Sequence, residues 1–139
     1  MTIQPFHLAF PVYDIQSTRK FYENILSCRI GRESERWIDF DLYGHQITAH
    51  LTESRESTPM CNSVDNKSVP SRHFGVILGW SQWDQLVSRL HTHQVEFYIA
   101  PYTRFEGEIG EQRTFFIQDP SQNFLEFKCF RDPGIVFQS

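Results

Sequence analysis

Apolar residues recur along the chain in two similar arrangements, each running from a strand-like segment into a helix-like one. The first begins with the apolar segment 6–12, after which Asp14 is suited to cap a helix whose apolar positions recur every three or four residues. The second begins with 72–78, after which Ser81 is suited to cap a helix of the same pattern. This spacing predicts one amphipathic helix in each half, the first ending near residues 26–27.

Beyond each helix the apolar period changes from about 3.6 residues to two, which is typical of strands with one buried face. The predicted strand pairs are 37–42 with 46–51 about a turn at 43–45, and 113–118 with 124–128 about a turn at 119–123. Each half is therefore predicted to be a β-α-β-β-β unit. The polar, turn-rich segment 52–71 between the halves is predicted to be a long linker.

Composition limits the classes of function. The chain has 139 residues, of which 40% are hydrophobic and 22% charged, as expected for one folded domain. Its net charge is −4 and it has no run of basic residues, which argues against nucleic-acid and anionic-membrane partners. No leader-like or membrane-spanning apolar run is recognised, and the three cysteines are widely spaced, so we expect a cytoplasmic protein with reduced thiols.

Three residues have the chemistry of a metal site. His7 and His73 each stand at the start of one half, and Glu126 lies in the last predicted strand. Two imidazoles with one carboxylate are the set that non-haem Fe(II) enzymes use, and the same donors suit Zn, Mn, Co or Ni. Strand alternation places His7 and Glu126 on the faces opposite their apolar neighbours. For each histidine taken alone, a solvated or hydrogen-bonded side chain is the alternative.

The chain resembles the vicinal oxygen chelate superfamily, which includes glyoxalase I, fosfomycin and bleomycin resistance proteins and extradiol dioxygenases. The resemblance covers nearly the whole chain and depends on residues 6–12, Phe21-Tyr22, 44–51, 72–76 and 119–128. Residues 119–128 are similar to the D-P-x-G-N-x-x-E-x pattern of the family, with Gln122 in place of the usual glycine.

The resemblance implies an α+β fold in which two paired βαβββ modules form an incomplete barrel around a metal site. It implies a single domain over residues 1–139, with module one at about 3–51, the linker at 52–71 and module two at about 72–131. His7, His73 and Glu126 match the metal-ligand positions of the family.

The last strand of the first module distinguishes this chain from glyoxalase I members, which carry a carboxylate ligand there. When the two halves are aligned by their turns, Thr48, a poor metal ligand, takes the position equivalent to that of Glu126. His50 lies two residues further along the same strand face, so it is predicted to be either a ligand or a base beside the metal. The alternative is that His50 is an ordinary core or surface residue with no role in the site.

Tyr102 and Arg104 lie between two strand-like runs and are followed by Gly107 and Gly110, a pattern that predicts a mobile lid or pocket edge. Arg104 is suited to bind a substrate carboxylate. The alternative is an exposed arginine paired with a nearby glutamate of the same loop.

The resulting functional expectation is a metal-dependent dioxygenase, with Fe(II) preferred, that performs extradiol-type ring cleavage on a small catecholic or oxygenated substrate. A glyoxalase-type lyase or isomerase is the second reading, and a metal-free small-molecule-binding resistance protein is the third. His50, Tyr102 and Arg104 are the expected catalytic residues. The resemblance also implies a homodimer.

Overall fold

The computed structural model describes residues 2–55 and 58–138 of the chain. The fold is mixed α+β and contains two βαβββ-like modules, each built on an open four-stranded sheet. The strands are β1 (His7–Val12), β2 (Arg29–Glu33), β3 (Trp37–Leu42), β4 (His45–Leu51), β5 (Cys61–Val64), β6 (Lys67–Pro70), β7 (Ile77–Leu78), β8 (Phe97–Arg104), β9 (Gln112–Gln118) and β10 (Phe124–Phe130). The helices are α1 (Ile15–Lys20), which continues as a π-helical turn over Phe21–Ile25, α2 (Trp80–Thr92), and a 3-10 turn at Pro133–Ile135.

The chain divides into two compact units. One contains the described residues up to 58 together with the turn 119–123, and the other contains 59–118 with the residues from 124 onward. The predicted linker 52–71 is divided between the two units, and the turn 119–123 of predicted module two belongs to the first unit. Residues 1, 56, 57 and 139 of the predicted domain and linker lie outside the described residues.

The first unit has the strand order β1-β4-β3-β2, with β1 parallel to β4 and the other pairs antiparallel. Alternation along β1 follows the prediction: Phe10 and Val12 are buried, whereas His7 and Pro11 on the other face are exposed. Burial of one apolar face against α1 and its π-helical extension makes the core, in which Tyr22 is fully buried. The predicted N-cap is confirmed, because the Asp14 carboxylate accepts a hydrogen bond from the Ser17 amide at 2.7 Å.

The second unit has the order β7-β10-β9-β8, with β7 parallel to β10. The helical apolar period predicted for the second half is confirmed in α2, where Trp83, Leu86 and Leu90 are buried. The predicted cap at Ser81 is wrong, because the helix begins at Trp80 with Gly79 as N-cap. No side chain caps the first turn from that position; instead the amide oxygen of Gln82 accepts from the Gly79 amide at 2.9 Å.

Part of the segment predicted as a linker has regular structure. Strands β5 and β6 form a two-stranded antiparallel hairpin that closes at Asp65 and Asn66, both with positive φ angles of 51° and 60°. Two central residues with positive φ are the requirement of a type I′ turn, whose twist matches that of the paired strands. The hairpin belongs to the second unit.

The turn 119–123 is organised by one buried carboxylate. Asp119 accepts hydrogen bonds from the Tyr22 hydroxyl and from the amides of Ser121 and Asn123, each with a donor–acceptor distance of 2.9 Å. Gln122, which replaces the usual glycine, adopts φ 66° in the left-handed region. A non-glycine residue is tolerated there at a small steric cost, so the departure in sequence leaves the turn intact.

Within residues 2–55 and 58–138, no helix combines the length and apolar character needed to cross a membrane. Cys28 and Cys129 are buried free thiols and Cys61 is an exposed one.

Candidate functional site

His73 and Glu126 are neighbours in the second unit, as the metal-site hypothesis requires of two of its ligands. His73 Nε2 lies 3.2 Å from Glu126 Oε1, and both side chains are partly exposed, at 28% and 16%. Glu126 lies in β10 between buried Leu125 and Phe127, so strand alternation turns its carboxylate away from the apolar core.

A close backbone approach holds the His73 segment against β10. Phe74 and Glu126 are joined by a hydrogen bond from the Glu126 amide to the Phe74 carbonyl at 2.8 Å. A Cβ at Gly75 would lie 1.6 Å from the Glu126 carbonyl oxygen, a distance that no side chain can adopt. Only glycine at this position lets the two backbones come so close, and the approach sets His73 beside Glu126.

The second oxygen of Glu126 is held by Thr114 on the neighbouring strand β9. The Thr114 hydroxyl donates a hydrogen bond to Glu126 Oε2 at a distance of 2.5 Å, and Thr114 itself is buried. Burial acts to raise the pKa of Glu126, but the hydrogen bonds from His73 and Thr114 outweigh it and the pKa is lowered overall. Glu126 is therefore a carboxylate at neutral pH, the form in which it can bind a cation.

The orientation of the His73 ring is fixed by a backbone carbonyl. His73 Nδ1 lies 2.7 Å from the Pro70 oxygen, which can only accept, so Nδ1 carries the proton and donates. This leaves Nε2 as the atom that faces Glu126. The hydrogen bond to Glu126 raises the pKa of His73, burial opposes it, and the Pro70 contact adds to the increase, so the pKa is raised overall.

The donor set fits a divalent cation. When His73 is neutral, the lone pair of Nε2 faces a carboxylate oxygen, an arrangement that is favourable only with a proton or a metal ion between them. Two donors at about 2.1 Å from one ion are about 3.0 Å apart at a right angle and about 3.4 Å apart at a tetrahedral angle. The observed 3.2 Å separation falls in this range. Histidine bound to a metal through one nitrogen and to a carbonyl through the other is a recurrent arrangement.

Within the part of the chain that the structure describes, no group of three or more His, Cys, Asp or Glu side chains has the arrangement of a metal site. His7 and His50 both belong to the first unit. His7 is the exposed first residue of β1, and His50 is an exposed residue of β4 that pairs with Trp37 and Pro11.

Thr48 has a structural partner in the first unit. Its buried hydroxyl donates to Asp39 Oδ1 over 2.6 Å. Asp39 also accepts from Arg32 Nε at 3.2 Å, and the Gln46 amide lies within 3.4 Å of the same carboxylate oxygen. Position 48 has no carboxylate, but the neighbouring strand β3 has one, that of Asp39. The positive charge of Arg32 already neutralises it.

Tyr102 and Arg104 are not in a loop: the predicted lid is wrong, because both lie within β8. Both residues pair with β9 after two irregularities in the register: Tyr102 is opposite Thr114 and Arg104 is opposite Gln112. Burial, together with the hydrogen bond to Asp65, raises the pKa of Tyr102 to about 12. Tyr102 is therefore a neutral phenol near pH 7, suited to donate a hydrogen bond rather than to act as a base.

The hairpin β5–β6 supplies the partners of these two residues. The Tyr102 hydroxyl donates to Asp65 Oδ2 at 2.9 Å, and Arg104 Nε lies 2.6 Å from the same oxygen. The Lys67 ammonium lies 4.3 Å from the centre of the Tyr102 ring. The predicted alternative for Arg104, an ion pair with a glutamate of its own loop, is replaced by this pair with Asp65.

Sequence reasoning missed Thr114, the Pro70 carbonyl and the hairpin residues. Thr114 lies on the same face as Glu126 by strand alternation, which is a usable signal. The dipeptide Asp65-Asn66 is a turn signal of moderate strength. A backbone carbonyl such as that of Pro70 has no counterpart in the residue pattern.

The family model described as the Glyoxalase/Bleomycin resistance protein/Dioxygenase superfamily matches residues 4–127. A solved structure of a glyoxalase/bleomycin resistance protein/dioxygenase from Alicyclobacillus acidocaldarius is 32% identical, with 96% of each chain covered and a TM-score of 0.81. The fosfomycin resistance protein FosX from Listeria monocytogenes is 18% identical over 93% of this chain and 94% of its own, with a TM-score of 0.68, which shows a common fold.

A glutamate-to-glutamine mutant of the same Listeria monocytogenes protein, complexed with Mn(II) and 1S,2S-dihydroxypropylphosphonic acid, is also 18% identical. It covers 93% of each chain with a TM-score of 0.66. No curated protein matches the chain.

Proposed function

Because the chain belongs to the glyoxalase/bleomycin resistance protein/dioxygenase superfamily, we propose that it is a metal-dependent enzyme whose metal is held by His73, Glu126 and His7. Members of the superfamily bind small-molecule substrates and divalent metals such as Mn(II), and many of them are enzymes. The observation that carries the proposal is the 3.2 Å separation of His73 Nε2 and Glu126 Oε1, with each side chain oriented by a further hydrogen bond.

The support for the three ligands differs in kind. His73 and Glu126 are supported by their contact, by the Pro70 carbonyl that leaves Nε2 free, and by the Thr114 hydroxyl that holds the carboxylate. His7 is supported by its matching place at the start of the first module and by its position on the exposed face of β1. Three protein ligands would leave coordination positions open for substrate.

We propose extradiol-type ring cleavage of a small catecholic or oxygenated substrate as the reaction, with Fe(II) as the preferred metal. Held by these residues, the metal would supply Lewis acidity that favours the ionised form of substrate oxygens. The lack of a carboxylate at Thr48, whose hydroxyl is committed to Asp39, favours three protein ligands over the four of glyoxalase I. This is the observation that ranks a glyoxalase-type lyase second.

The protein residues have separate tasks in this proposal. Glu126 remains ionised because Thr114 and His73 lower its pKa, so it contributes a negative charge without a proton to release. Tyr102 is a phenol beside Thr114 whose hydroxyl donates to Asp65, and it can donate to a substrate oxygen when that contact is exchanged. Arg104 offers a positive charge for an anionic substituent, and His50 is proposed as the base that accepts a phenolic proton.

Oxygen uptake tests the reaction. Metal-free protein is reconstituted anaerobically with Fe(II) and mixed with oxygen and a panel of catechols. We expect uptake with ring-cleaved product for wild type and none for Glu126→Ala, while Asp39→Asn retains activity. Conversion of a hemithioacetal without uptake across the panel would instead support the lyase.

Metal content tests the proposal independently of the substrate. Protein purified without chelator should carry close to one divalent ion per chain, and His7→Ala should lose it as His73→Ala does. Retention of the ion by His7→Ala would remove His7 from the ligand set. A chain that carries no metal and binds small molecules by equilibrium dialysis would support the metal-free resistance protein. Sedimentation velocity tests the homodimer implied by the resemblance.

A further inference from the structure

We propose that Tyr102, Arg104 and Lys67 form a binding site for a carboxylate group, and that Asp65 occupies this site as an internal carboxylate which the ligand displaces. The identification of that ligand as the substrate rests on the proposed function. The carboxylate site itself rests on contacts within the second unit.

Asp65 has the contacts of a bound carboxylate. Its Oδ2 accepts from the Tyr102 hydroxyl at 2.9 Å and lies 2.6 Å from Arg104 Nε. The Lys67 ammonium, 4.3 Å from the Tyr102 ring centre, adds a second positive charge beside the same phenol. A guanidinium and a phenol that meet at one carboxylate oxygen, with an ammonium group beside the phenol ring, are a site suited to an oxyanion.

The arrangement is incomplete with Asp65 as the occupant. Arg104 Nε is buried and lacks an aligned hydrogen bond, although it lies close to the Asp65 oxygen. A guanidinium binds a carboxylate best when two parallel N–H groups face both oxygens in one plane. Asp65 is held by its own turn, whereas the carboxylate of a small molecule can rotate into that plane. The ligand therefore gains a hydrogen bond that Asp65 does not make.

The hairpin can release Asp65 at small cost. Strands β5 and β6 pair with each other as a separate two-stranded sheet, and an isolated hairpin of this kind is marginally stable in water. The side chains of Arg104 and Asp65 are 27% and 37% exposed, and ion pairs with that exposure contribute little to stability. Displacement of Asp65 by a ligand is therefore within reach of an ordinary binding energy.

The site lies near the proposed metal ligand Glu126. Tyr102 is paired across the sheet with Thr114, and Thr114 donates to Glu126. The negative charge of Glu126 also acts to raise the pKa of Tyr102. Tyr102 on β8 and Glu126 on β10 are separated by the one strand β9. A small substrate with adjacent oxygens and a carboxylate on the same ring, such as a dihydroxybenzoate, can span this distance.

Benzoate binding to the metal-free protein tests the proposal. Isothermal titration calorimetry compares benzoate, uncharged benzamide and phenylphosphonate against wild type and Asp65→Asn. We expect Asp65→Asn to bind benzoate about tenfold more tightly than wild type, because the competing carboxylate is removed. Benzamide binding should not change. Asp84→Asn is the matched control, since Asp84 forms a similar pair with Arg113 in the same unit and should leave benzoate affinity unchanged.

Several outcomes overturn the proposal. They are equal benzoate affinity in wild type and Asp65→Asn, or a gain that persists when Arg104→Gln is added. Tighter binding of phenylphosphonate than of benzoate would replace the carboxylate by a phosphonate and so also overturn it. Asp65→Ser serves as a second variant if circular dichroism shows that Asp65→Asn is unfolded. Because no metal is present, failure of the metal proposal does not alter these results.

Discussion

The two sheets each contain a carboxylate bonded to a threonine on the neighbouring strand, yet the further partners of the two carboxylates differ. The Thr48 hydroxyl donates a hydrogen bond of 2.6 Å to Asp39 in the first unit, and the Thr114 hydroxyl donates one of 2.5 Å to Glu126 in the second. In the first unit the carboxylate, on β3, precedes its threonine along the chain. In the second unit the carboxylate, on β10, follows its threonine.

The cationic partner separates the two sites. Asp39 is 4% exposed and lies beside the guanidinium of Arg32, which remains charged at every physiological pH. Glu126 is more exposed and lies beside the imidazole of His73, which can lose its proton and then bind a metal. Both sheets thus contain a carboxylate that is hydrogen-bonded to a threonine on the neighbouring strand. We propose that the neighbouring cationic residue decides whether such a carboxylate has a structural or a metal-binding role.

The largest expected effect is the loss of metal when the second site is altered. Glu126→Ala or His73→Ala removes one of two adjoining donors, so we expect no stoichiometric metal after gel filtration, measured by elemental analysis. Asp39→Asn is the control and should retain the metal of wild type. Equal metal content in Glu126→Ala and wild type would contradict the difference between the two carboxylates.

Removal of the two threonine hydroxyls should have unequal effects on metal binding. Thr114→Val leaves Glu126 without the hydrogen bond that orients it, so we expect metal affinity to fall by about 10–100-fold. Thr48→Val should leave affinity unchanged, because its partner Asp39 binds no metal in this account. Competition with a metallochromic chelator measures both. A similar fall in both variants would mean that the effect passes through general stability.

Stability should show the reverse order. Asp39→Ala leaves the buried Thr48 hydroxyl without its acceptor, so we expect the free energy of unfolding to decrease by about 1–3 kcal/mol. In metal-free protein, Glu126→Ala also leaves a buried hydroxyl, that of Thr114, without its acceptor, but the removed carboxylate is more exposed, so water can reach the gap and we expect a smaller cost. Urea unfolding followed by circular dichroism compares the two. A larger loss for Glu126→Ala would give it a structural role.

The smallest effect concerns pH in the metal-free protein. The pKa of His73 is raised on folding, so its pairing stabilises the fold below about pH 6.5, and this contribution is lost as pH rises through the folded-state pKa. The pKa of Glu126 is lowered, so its contribution is present above about pH 4.5 and is lost as pH falls through the folded-state pKa. The pair should therefore stabilise most between about pH 4.5 and about pH 6.5.

The difference in free energy of unfolding between wild type and His73→Gln measures this contribution. We expect it to be below about 1 kcal/mol near pH 5.5 and smaller near pH 9. Metal affinity should change in the opposite direction and increase with pH, because the metal replaces a proton on His73. A stability difference that grows above pH 7 would contradict the assigned direction of the His73 pKa.

The sequence was informative where a side chain's place follows from alternation. The period of two along β1 and β10 predicted the faces of His7 and Glu126, and the period of 3.6 predicted the buried positions of α2. These patterns depend on burial, which residue type reports directly.

Features fixed by backbone geometry were not predictable in this way. The Pro70 carbonyl that orients His73 is not encoded by residue type, and the hairpin at Asp65 joins strands too short and polar to show alternation. The start of α2 was misplaced because Gly79 caps it through the backbone, so a side-chain signal at Ser81 was misleading. Tyr102 and Arg104 were assigned to a lid because Gly107 and Gly110 follow them, but both glycines lie beyond the end of β8 at Arg104.

We propose that a divalent cation binds between His73 Nε2 and Glu126 Oε1, and anomalous diffraction from crystals grown with Mn(II) would locate it. We expect one strong manganese peak within coordination distance of both atoms, with Thr114 still hydrogen-bonded to Glu126 and His73 still hydrogen-bonded to the Pro70 carbonyl. A strongest peak that lies away from both atoms, with the two side chains still in direct contact, would contradict it.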